Sequence, residues 1–389
     1  MTQEPKIFPY ITRLLQGAEV VWKPLGEVAE IKRGQRVTKQ ELSNNKQYPV
    51  YSGGVKPMGY YDTYNQEANT ITIVKYGTAG YVNFITERFW ANDVCYCIKP
   101  HTILENKYLL YVLKNMQLYI NSLATDAIPA HLPAPSLASI QIPLPPLSVQ
   151  QEIVRILDKF TQLEAELEAE LDCRKRQYEY YRNKLLSYEG NEVEWKALGE
   201  VGTFIRGNGL QKKDFVETGI GCIHYGQIYT YYGIKASETI SYVTEDLAKS
   251  LRKASHNDLI IAGVSENIED VCKCVVWEGE EDICVSGDTF IFKTDQNPHY
   301  IGHLLRTDNF LNYKRKNAIG AKVTRLQAGS LPKYTIPLPP LEEQQRIANI
   351  LDKFDTLVNS ISEGLPKEIS LRRKQYEYYR EKLLSFPKE

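Results

Sequence analysis

The sequence predicts an α+β fold in which two strand-rich globular domains are separated by two long antiparallel coiled-coil helices, in a pseudo-twofold, ring-like arrangement. Three observations predict it. Long segments of the chain occur twice, in the same order in each half. Between them, apolar and polar residues alternate as in strands. Residues 148–187 contain no Pro or Gly, and their apolar residues recur at steps of three and four, as in a long helix.

Two repeated segments open and close each half of the chain. WKPLGEVAEIKRG at residues 22–34 returns as WKALGEVGTFIRG at residues 195–207. IPLPPLSVQQEIVRILDKF at residues 142–160 returns as IPLPPLEEQQRIANILDKF at residues 336–354. Because a solenoid repeat has only about 20–50 residues, this longer period indicates a duplicated unit of one domain and one helix.

A third repeated segment ends each long helix. RQYEYYRNKLLS at residues 176–187 agrees at ten of twelve positions with KQYEYYREKLLS at residues 374–385. A shorter version, YITRLLQG, occupies residues 10–17. A linear tandem needs only two copies, so the third predicts that the C-terminal helix returns to the N-terminus and that the molecule closes on itself.

The two bodies between these segments, residues 35–141 and 208–335, share little besides a strand-rich texture. Runs such as NTITIVKYG and DTFIFKT are bounded by Gly, Asn and Asp turns. Repeated flanks around divergent bodies predict two modules that do one job on two different targets.

The two long helices are predicted to pair. The first begins with Ser148 as its N-cap and the second begins at Glu342, whereas Gly364 and Pro366 must kink or break the second. Narrow apolar seams favour an antiparallel coiled coil over two solvent-exposed helices. The seam and partner-docking residues are Ile153, Leu157, Phe160, Leu163, Leu167, Leu171, Tyr178, Tyr181 and Leu185 in the first helix, and Ile347, Leu351, Phe354, Leu357, Tyr376, Tyr379 and Leu383 in the second.

A four-residue repeat, LEAELEAEL, lies at residues 163–171. Each unit adds about 6 Å of helix, close to the length of two base pairs of DNA. The repeat is either a ruler that sets a spacing or simply a good helix-forming sequence, and both interpretations stay open.

Five segments follow from these patterns: an N-terminal helical stub (1–17), a first domain (18–143), a central helical region (144–190), a second domain (191–337) and a C-terminal helical region (338–389). The chain has no apolar run long enough to cross a membrane and no secretory leader pattern, so we expect a cytoplasmic protein. Cys95, Cys97, Cys272 and Cys274 form two C-x-C pairs in strand-like stretches. Their spacing favours small buried strand residues over zinc ligands.

The formal net charge of −1 hides a segregation of charge. Residues 309–341 carry six basic residues and no acid, and residues 31–63 carry six basic residues against two acids. One such tract is more often a solvated face, but two tracts at related places favour contact with DNA phosphates and base edges. No phosphate-cradling loop and no zinc-protease, nucleophile-elbow or aminomethyltransferase motif occurs, so we expect no intrinsic active site and no metal site.

The order of the flanking segments and helices resembles the DNA specificity subunit of Type I restriction–modification systems, in the subfamily with short four-residue helix repeats. The resemblance implies that each body is a target recognition domain for half of a split double-stranded DNA target with a fixed-length nonspecific spacer. It implies adenine methylation and phage defence by a complex in which the helical regions dock two methyltransferase subunits, joined by restriction and translocase subunits. S-adenosylmethionine, ATP and Mg²⁺ would belong to those subunits, and this chain would be non-catalytic.

The resemblance also implies where DNA is bound. The loops before the two IPLPPL segments lie near DNA in the family, and there His131 stands at the offset of Arg325. The candidate DNA-binding residues are Lys32, Arg33, Gln35, Arg36, Tyr51, Ser52, Lys56, Lys75, Tyr76 and His131 in the first body, and Arg206, Asn208, Lys212, Lys213, His224, Tyr225, Gln227, Lys314, Arg315, Lys316, Lys322, Thr324 and Arg325 in the second. Each could have a structural role instead.

Two other functions are weighed against this one. A self-sufficient methyltransferase–nuclease would need a cofactor motif, and the sequence has none that we find. A coiled-coil scaffold with two protein-binding domains would have no sequence-selective affinity for DNA. The sequence specifies neither the two half-sites nor the spacer length.

Overall fold

The computed structural model describes residues 8–125, 128–188, 193–320, 323–327, 329–360 and 362–386. The chain forms two compact units, one of Met1–Ala165 with Leu371–Glu389 and one of Glu166–Ser370, which we call the first and second units. Each is rich in sheet, and one long helix contributes residues to both. The predicted α+β class, with two sheet-rich domains and a long helix, is therefore confirmed.

The first unit contains nine strands among its described residues. The strands are β1 (Val21–Pro24), β2 (Ala29–Arg33), β3 (Tyr48–Tyr51), β4 (Tyr60–Tyr61), β5 (Thr70–Val74), β6 (Val82–Ile85), β7 (Trp90–Ala91), β8 (Cys95–Pro100) and β9 (Gln141–Leu144). The helices are α1 (Pro9–Leu15), α2 (Leu25–Val28), α3 (Asn106–Asn115), α4 (Gln117–Ser122), α5 (Ala134–Ala138), the start of α6 (Leu147–Leu185) and a 3₁₀ turn at Lys39–Glu41.

The central strands of the first unit are buried on both faces. Strands β2, β8, β5 and β6 form an antiparallel sheet in that order, and β7 runs parallel to β3. Ile71, Thr72 and Ile73 are all buried, so β5 is covered on both sides. Leu109 and Leu113 of α3 join the same hydrophobic core.

The second unit contains fourteen strands among its described residues. The strands are β10 (Glu194–Ala197), β11 (Gly202–Arg206), β12 (Ile220–Ile223), β13 (Lys235–Ala236), β14 (Ser241–Val243), β15 (Lys253–Ala254), β16 (Leu259–Ala262), β17 (Val264–Ser265), β18 (Cys274–Trp277), β19 (Ile283–Val285), β20 (Thr289–Thr294), β21 (Ala318–Ile319), β22 (Thr324–Leu326) and β23 (Thr335–Leu338). The helices are α7 (Leu198–Val201), α8 (Tyr225–Thr230), α9 (Glu245–Ala248), α10 (Pro298–Leu304), α11 (Asp308–Asn317) and α12 (Leu341–Asn359), with α13 (Gly364–Leu384) ending in the first unit and 3₁₀ turns at Lys212–Asp214 and Leu331–Lys333.

The second unit repeats the strand pairing of the first, although the two bodies share little sequence. Strands β11, β20, β16 and β18 are neighbours in that order, as β2, β8, β5 and β6 are in the first unit. Strand β12 pairs in parallel with β19, as β3 does with β7. The two divergent bodies are therefore two versions of one fold.

The repeated sequence segments attach each body to the start of its helix in the same way. Strand β1 pairs with β9 and β10 pairs with β23, so that each tryptophan of the WK motif lies opposite a proline of IPLPPL. The hydroxyl of Tyr108 donates to the Pro143 carbonyl oxygen at 3.0 Å, and that of Tyr300 donates to the Pro337 carbonyl oxygen, also at 3.0 Å. A repeated sequence thus produces a repeated junction.

The second long helix is broken where Gly364 and Pro366 predicted a kink or a break. Helix α12 ends at Asn359 and α13 begins at Gly364. Gly364 has φ +77°, and a side chain there would overlap the carbonyl oxygen of Thr356. Helix α6, by contrast, is continuous from Leu147 to Leu185.

In the first unit, the C-terminal helix packs beside the N-terminal one, as the third copy of the helix-end pattern predicts. Leu383, Leu384 and Phe386 are buried in the same hydrophobic core as Ile11 and Leu15. Helix α13 is also antiparallel to α6: the ring of Phe160 stacks on that of Tyr379, with centroids 5.5 Å apart, and Glu164 pairs with Arg373.

Two predicted seam residues are partly exposed at the helix surface. The side chains of Leu163 and Tyr181 are 41% and 42% exposed, so neither is buried between helices. Tyr181 instead stacks on Phe354 from one side, whereas Tyr178 is buried against the same ring. The remaining seam residues are buried or half-buried: Ile153, Leu157, Phe160, Leu167, Leu171, Leu185, Ile347, Leu351, Leu357, Tyr376, Tyr379 and Leu383.

Candidate DNA interface

A short turn at residues 92–95 holds three of the candidate loops of the first unit together. It joins β7 to β8, and its backbone bonds to the loop after β2, to the end of β3 and to the end of β5. The bonds run from Gly34 N to Cys95 O (3.0 Å), from Asn92 N to Tyr51 O (2.9 Å) and from Lys75 N to Val94 O (2.7 Å). We call this the first hub turn. Loops that are far apart in sequence therefore meet at one end of the sheet.

The turn at residues 286–289 has the same role in the second unit, and we call it the second hub turn. Its bonds run from Gly207 N to Thr289 O (2.9 Å), from Ser286 N to Ile223 O (3.1 Å) and from Gly263 N to Asp288 O (2.7 Å). Position by position, these bonds match those of the first hub turn. Sequence reasoning missed both turns, although Asn92-Asp93 and Gly287-Asp288 are typical turn residues between two strands.

Each hub turn is approached closely by a glycine of the repeated segment. A side chain at Gly34 would overlap the carbonyl oxygens of Ala91 and Asn92, and one at Gly207 would overlap that of Ser286. Glycine is therefore required at both positions for the loop to reach the turn.

The residue before each glycine is an exposed arginine held by its hub turn. Arg33 donates through Nε to the Asp93 carbonyl oxygen (2.6 Å) and through Nη2 to the Asp93 carboxylate (3.1 Å). Arg206 donates through Nε to the Gly287 carbonyl oxygen (3.0 Å), and its Nη2 lies 3.6 Å from the Asp288 carboxylate. Asp93 and Gly287 occupy the same position of the two turns, so the two guanidinium groups are oriented alike.

The loop before the first IPLPPL segment pairs with the end of β5 through Tyr76 and His131. Their rings stack with centroids 5.6 Å apart, and the ammonium of Lys75 lies 5.0 Å from the Tyr76 ring centroid. The hydroxyl of Thr125 lies 2.8 Å from Nδ1 of His131. Lys75 and Tyr76, predicted from one segment, and His131, predicted from another, thus form one basic and aromatic surface.

In the second unit the same position is occupied by Val264 and Arg325, which pair across β17 and β22. This pairing supports the alignment of His131 with Arg325. Gly263 stands where the first unit has Lys75, and a cavity of about 430 Å³ opens there, with Phe204, Phe290 and Arg206 in its lining. The two units therefore present different chemistry at one equivalent place.

The other candidates of the first unit lie around this surface. Lys32, Gln35, Arg36 and Lys56 are exposed, and Lys32 pairs with Glu30 at 2.9 Å. Ser52 is half-buried, and its carbonyl oxygen accepts from Cys95 Sγ at 3.0 Å. Tyr51 is half-buried against Phe89, where burial raises the pKa of its hydroxyl.

Four candidates of the second unit make contacts within the fold. His224 is buried at the start of α8 and accepts a hydrogen bond from Gly226 N at 3.2 Å, and burial lowers its pKa. Gln227 accepts from His224 N and donates to the Ser241 hydroxyl. Asn208 bonds to the backbone of Ser250 and Arg252. Tyr225 packs its ring against His224, with centroids 4.3 Å apart.

Lys314 is a clear correction among the basic candidates. It is only 4% exposed, and its ammonium donates to the carbonyl oxygens of Glu269 and Val271, each at 2.9 Å. Burial lowers its pKa. A side chain so enclosed cannot reach DNA, and the prediction for Lys314 is wrong.

The remaining basic candidates stay at the surface. Arg315, Lys316, Lys212, Lys213 and Arg325 are exposed, whereas Thr324 is half-buried. Thr324 pairs with Ser265 in β22. Lys322 lies outside the described residues.

The cysteines are consistent with a structural role. Cys95, Cys97, Cys272 and Cys274 are buried, as predicted for both C-x-C pairs. Burial raises the pKa of the Cys95 and Cys97 thiols to about 12.

Among the described residues, no group of three or more His, Cys, Asp or Glu side chains could hold a metal ion. In the same part of the chain, no helix is long and apolar enough to cross a membrane.

Known proteins resemble this chain over nearly its whole length. The family model of the Type I restriction modification DNA specificity domain matches residues 18–172 and 191–371. The specificity subunit of the EcoR124I/EcoR124II type I restriction enzyme of Escherichia coli is 33% identical, with 97% of each chain covered. A putative type I restriction enzyme specificity subunit of Haemophilus influenzae is 34% identical over 97% of this chain and 98% of that one.

The fold is also similar to a solved structure. The S subunit of a type I restriction–modification system from M. genitalium has a TM-score of 0.63 at 18% identity, covering 96% of this chain and 98% of that one. Two matches of one family model, each covering one body and much of the helix that follows it, agree with the duplicated fold described above.

Proposed function

The chain belongs to the family of Type I restriction–modification DNA specificity subunits, and we propose that its two units read the two halves of a split DNA target. One observation carries this proposal: the two units share one scaffold but differ where candidate loops meet. The equivalent pairs are Tyr76 with His131 and Val264 with Arg325.

The chemistry of these pairs suits different base edges. Arginine donates two parallel hydrogen bonds and matches the O6 and N7 acceptors of guanine. Histidine offers one ring nitrogen as a donor and the other as an acceptor when it is neutral. The unit with His131 and the unit with Arg325 would therefore select different half-sites.

The repeated junctions support a partner that binds twice. We propose that the helical regions dock two methyltransferase subunits and that restriction and translocase subunits join this core. In this proposal S-adenosylmethionine, ATP and Mg²⁺ are held by those subunits, and this chain selects the adenines without catalysing their methylation. The continuous α6 would fix the length of the unread spacer.

The test is to co-express this chain with a methyltransferase subunit encoded beside it and to map the methylated adenines in the host DNA by single-molecule sequencing. The proposal predicts a split motif, methylated on opposite strands across a fixed gap. Methylation that does not depend on this chain, or the absence of a split motif, would reject it in favour of a protein scaffold.

Two matched variants sharpen this test. His131→Ala should relax one half of the motif and leave the other half unchanged, whereas Arg325→Ala should do the reverse. If both variants alter the same half, the two units do not read separate half-sites.

A further inference from the structure

We propose that Arg33 and Arg206 are equivalent phosphate anchors, which hold the DNA backbone in each half-site without reading its sequence. The inference rests on the proposed function, and it divides the interface into a part shared by the two units and a part that differs between them. The anchors are the shared part.

The sequence separates these arginines from their neighbours. Lys32, Arg33, Gln35 and Arg36 are all candidates in the first unit, and their counterparts at the same offsets are Ile205, Arg206, Asn208 and Gly209. Among these four positions only the arginine is repeated. A side chain that both units need, although they differ at the Tyr76–His131 position, should contact a part of DNA that is common to both half-sites.

The geometry gives the two side chains the same orientation. Each guanidinium donates through Nε to a carbonyl oxygen at the same position of its hub turn, at 2.6 Å for Arg33 and 3.0 Å for Arg206. In the described part of the chain, these bonds and the carboxylate contacts occupy only Nε and Nη2. The arginine side chains are 52% and 67% exposed, so the remaining N–H groups are accessible.

Phosphate is the ligand that this arrangement suits best. Phosphates are the same at every base step, and arginine binds them through paired N–H groups with a fixed plane. Holding Nε on a backbone carbonyl limits the rotation of the guanidinium before DNA arrives, which reduces the entropy lost on binding.

The neighbouring carboxylates compete with this role and so offer an independent test. Asp93 and Asp288 are each near their arginine, but exposed ion pairs of this kind are weak and screened by salt. A phosphate would therefore take the place of the carboxylate as the partner of Nη2. Before that exchange, the negative charge of the carboxylate would repel the phosphate.

The experiment uses the assembled complex of this chain with its methyltransferase subunit. Binding to a duplex that carries the mapped motif and to a scrambled duplex is measured over a range of salt concentrations. Arg33→Ala and Arg206→Ala should each weaken binding to both duplexes by the same factor, about tenfold. Each should also reduce the slope of log K against log salt by about 0.9, the value for one lost phosphate contact.

Arg88→Ala is the matched control, because Arg88 is 53% exposed and paired with Glu67 at 2.9 Å. Arg88 precedes β7, whereas the first hub turn, which holds Arg33, follows β7. Arg88→Ala should change neither quantity. Asp93→Asn and Asp288→Asn, which keep an oxygen acceptor but remove the charge, should strengthen binding to both duplexes.

Several results would overturn the inference. An arginine variant that weakens binding only to the motif duplex, or that changes the methylated motif, would show that the arginine reads a base. An unchanged salt slope would show that no phosphate contact is lost, and weaker binding by the Asp→Asn variants would show a structural role. If the wild-type complex itself does not prefer its motif, the proposed function fails first, so the two failures are distinguishable.

Discussion

The Nε2 atom of His303 lies 2.7 Å from Oδ1 of Asp352, which joins α10 to α12 in the second unit. His303 is fully buried, and its Nδ1 lies 3.2 Å from the Tyr178 hydroxyl. In the first unit, Tyr111 and Asp158 occupy the equivalent positions, with the Tyr111 hydroxyl donating at 2.6 Å. One junction is therefore built with a titratable imidazole and the other with a phenol.

This difference predicts that the second unit loses stability on acidification. Burial lowers the pKa of His303, so the folded state holds the ring neutral while the unfolded chain takes up a proton below pH of about 6.5. Each pH unit below that value should cost up to about 1.4 kcal/mol until the folded ring also titrates. His303→Tyr, which copies Tyr111, should remove this slope. Hydrogen exchange of α10 and α12 in the assembled complex, from pH 7.5 to 5.5, measures how the stability of the second unit changes with pH. The same dependence on pH in the variant and in the wild type would contradict the prediction.

A second acidic transition should follow at lower pH. Burial raises the pKa of Asp352, but hydrogen bonds from His299 and His303 lower it by more, so its pKa stays well below the usual value. Its contribution to stability is present above pH of about 4 and is lost as pH falls further. Asp352→Asn should therefore flatten the loss of stability below pH of about 4, measured by hydrogen exchange of α10 and α12 with the pH range extended below that value.

Substitution of Lys314 should destabilise the second unit, whereas substitution of its neighbour Arg315 should have little effect. Lys314→Met removes the ammonium that satisfies the carbonyl oxygens of Glu269 and Val271, so it should destabilise the second unit by about 1–3 kcal/mol. Arg315→Met removes an exposed charge and should change stability by less than about 0.5 kcal/mol. Thermal unfolding of the complex measures both. Equal stability of the two variants would mean that Lys314 is not held in the core.

The glycines at the hub turns should tolerate no side chain. Gly34→Ala places a methyl group against the carbonyl oxygens of Ala91 and Asn92, and should cost about 1–3 kcal/mol and weaken DNA binding. Gly54→Ala is the control, because its nearest neighbour would be the Lys56 carbonyl oxygen at 3.9 Å. Faster hydrogen exchange at residues 92–95 in the first variant alone would confirm the prediction. Similar behaviour of both variants would reject it.

Deleting residues 163–166, one unit of the four-residue repeat, tests whether α6 sets the spacer. The deletion shortens a continuous helix by about 6 Å, close to two base pairs. The methylated motif should keep both half-sites and lose about two base pairs of its gap. An unchanged gap would favour the interpretation of the repeat as a helix-forming sequence only.

The repeats predicted the architecture well because the repeated segments make the same strand pairs in both units, β1 with β9 and β10 with β23. The return of the C-terminal helix, the break at Gly364 and the buried cysteines could all be read from spacing and residue type. The hub turns could not, since their bonds join loops such as those of Gly34 and Lys75 that only the folded sheet brings together. Nor could the sequence distinguish the buried Lys314 from the exposed Arg315. The sequence does not show whether the ammonium of a lysine reaches solvent or two backbone carbonyl oxygens.

The first unit is made of two separate parts of the chain, which has a consequence for synthesis on the ribosome. Residues 371–386 complete the core that contains Ile11 and Leu15, yet they are translated only after the whole second unit. The second unit can therefore fold while the first still exposes the apolar faces that α13 will cover. A chain stopped before residue 371 should retain a folded second unit and an incomplete first one, so that truncated products carry an apolar surface for chaperones and proteases to recognise.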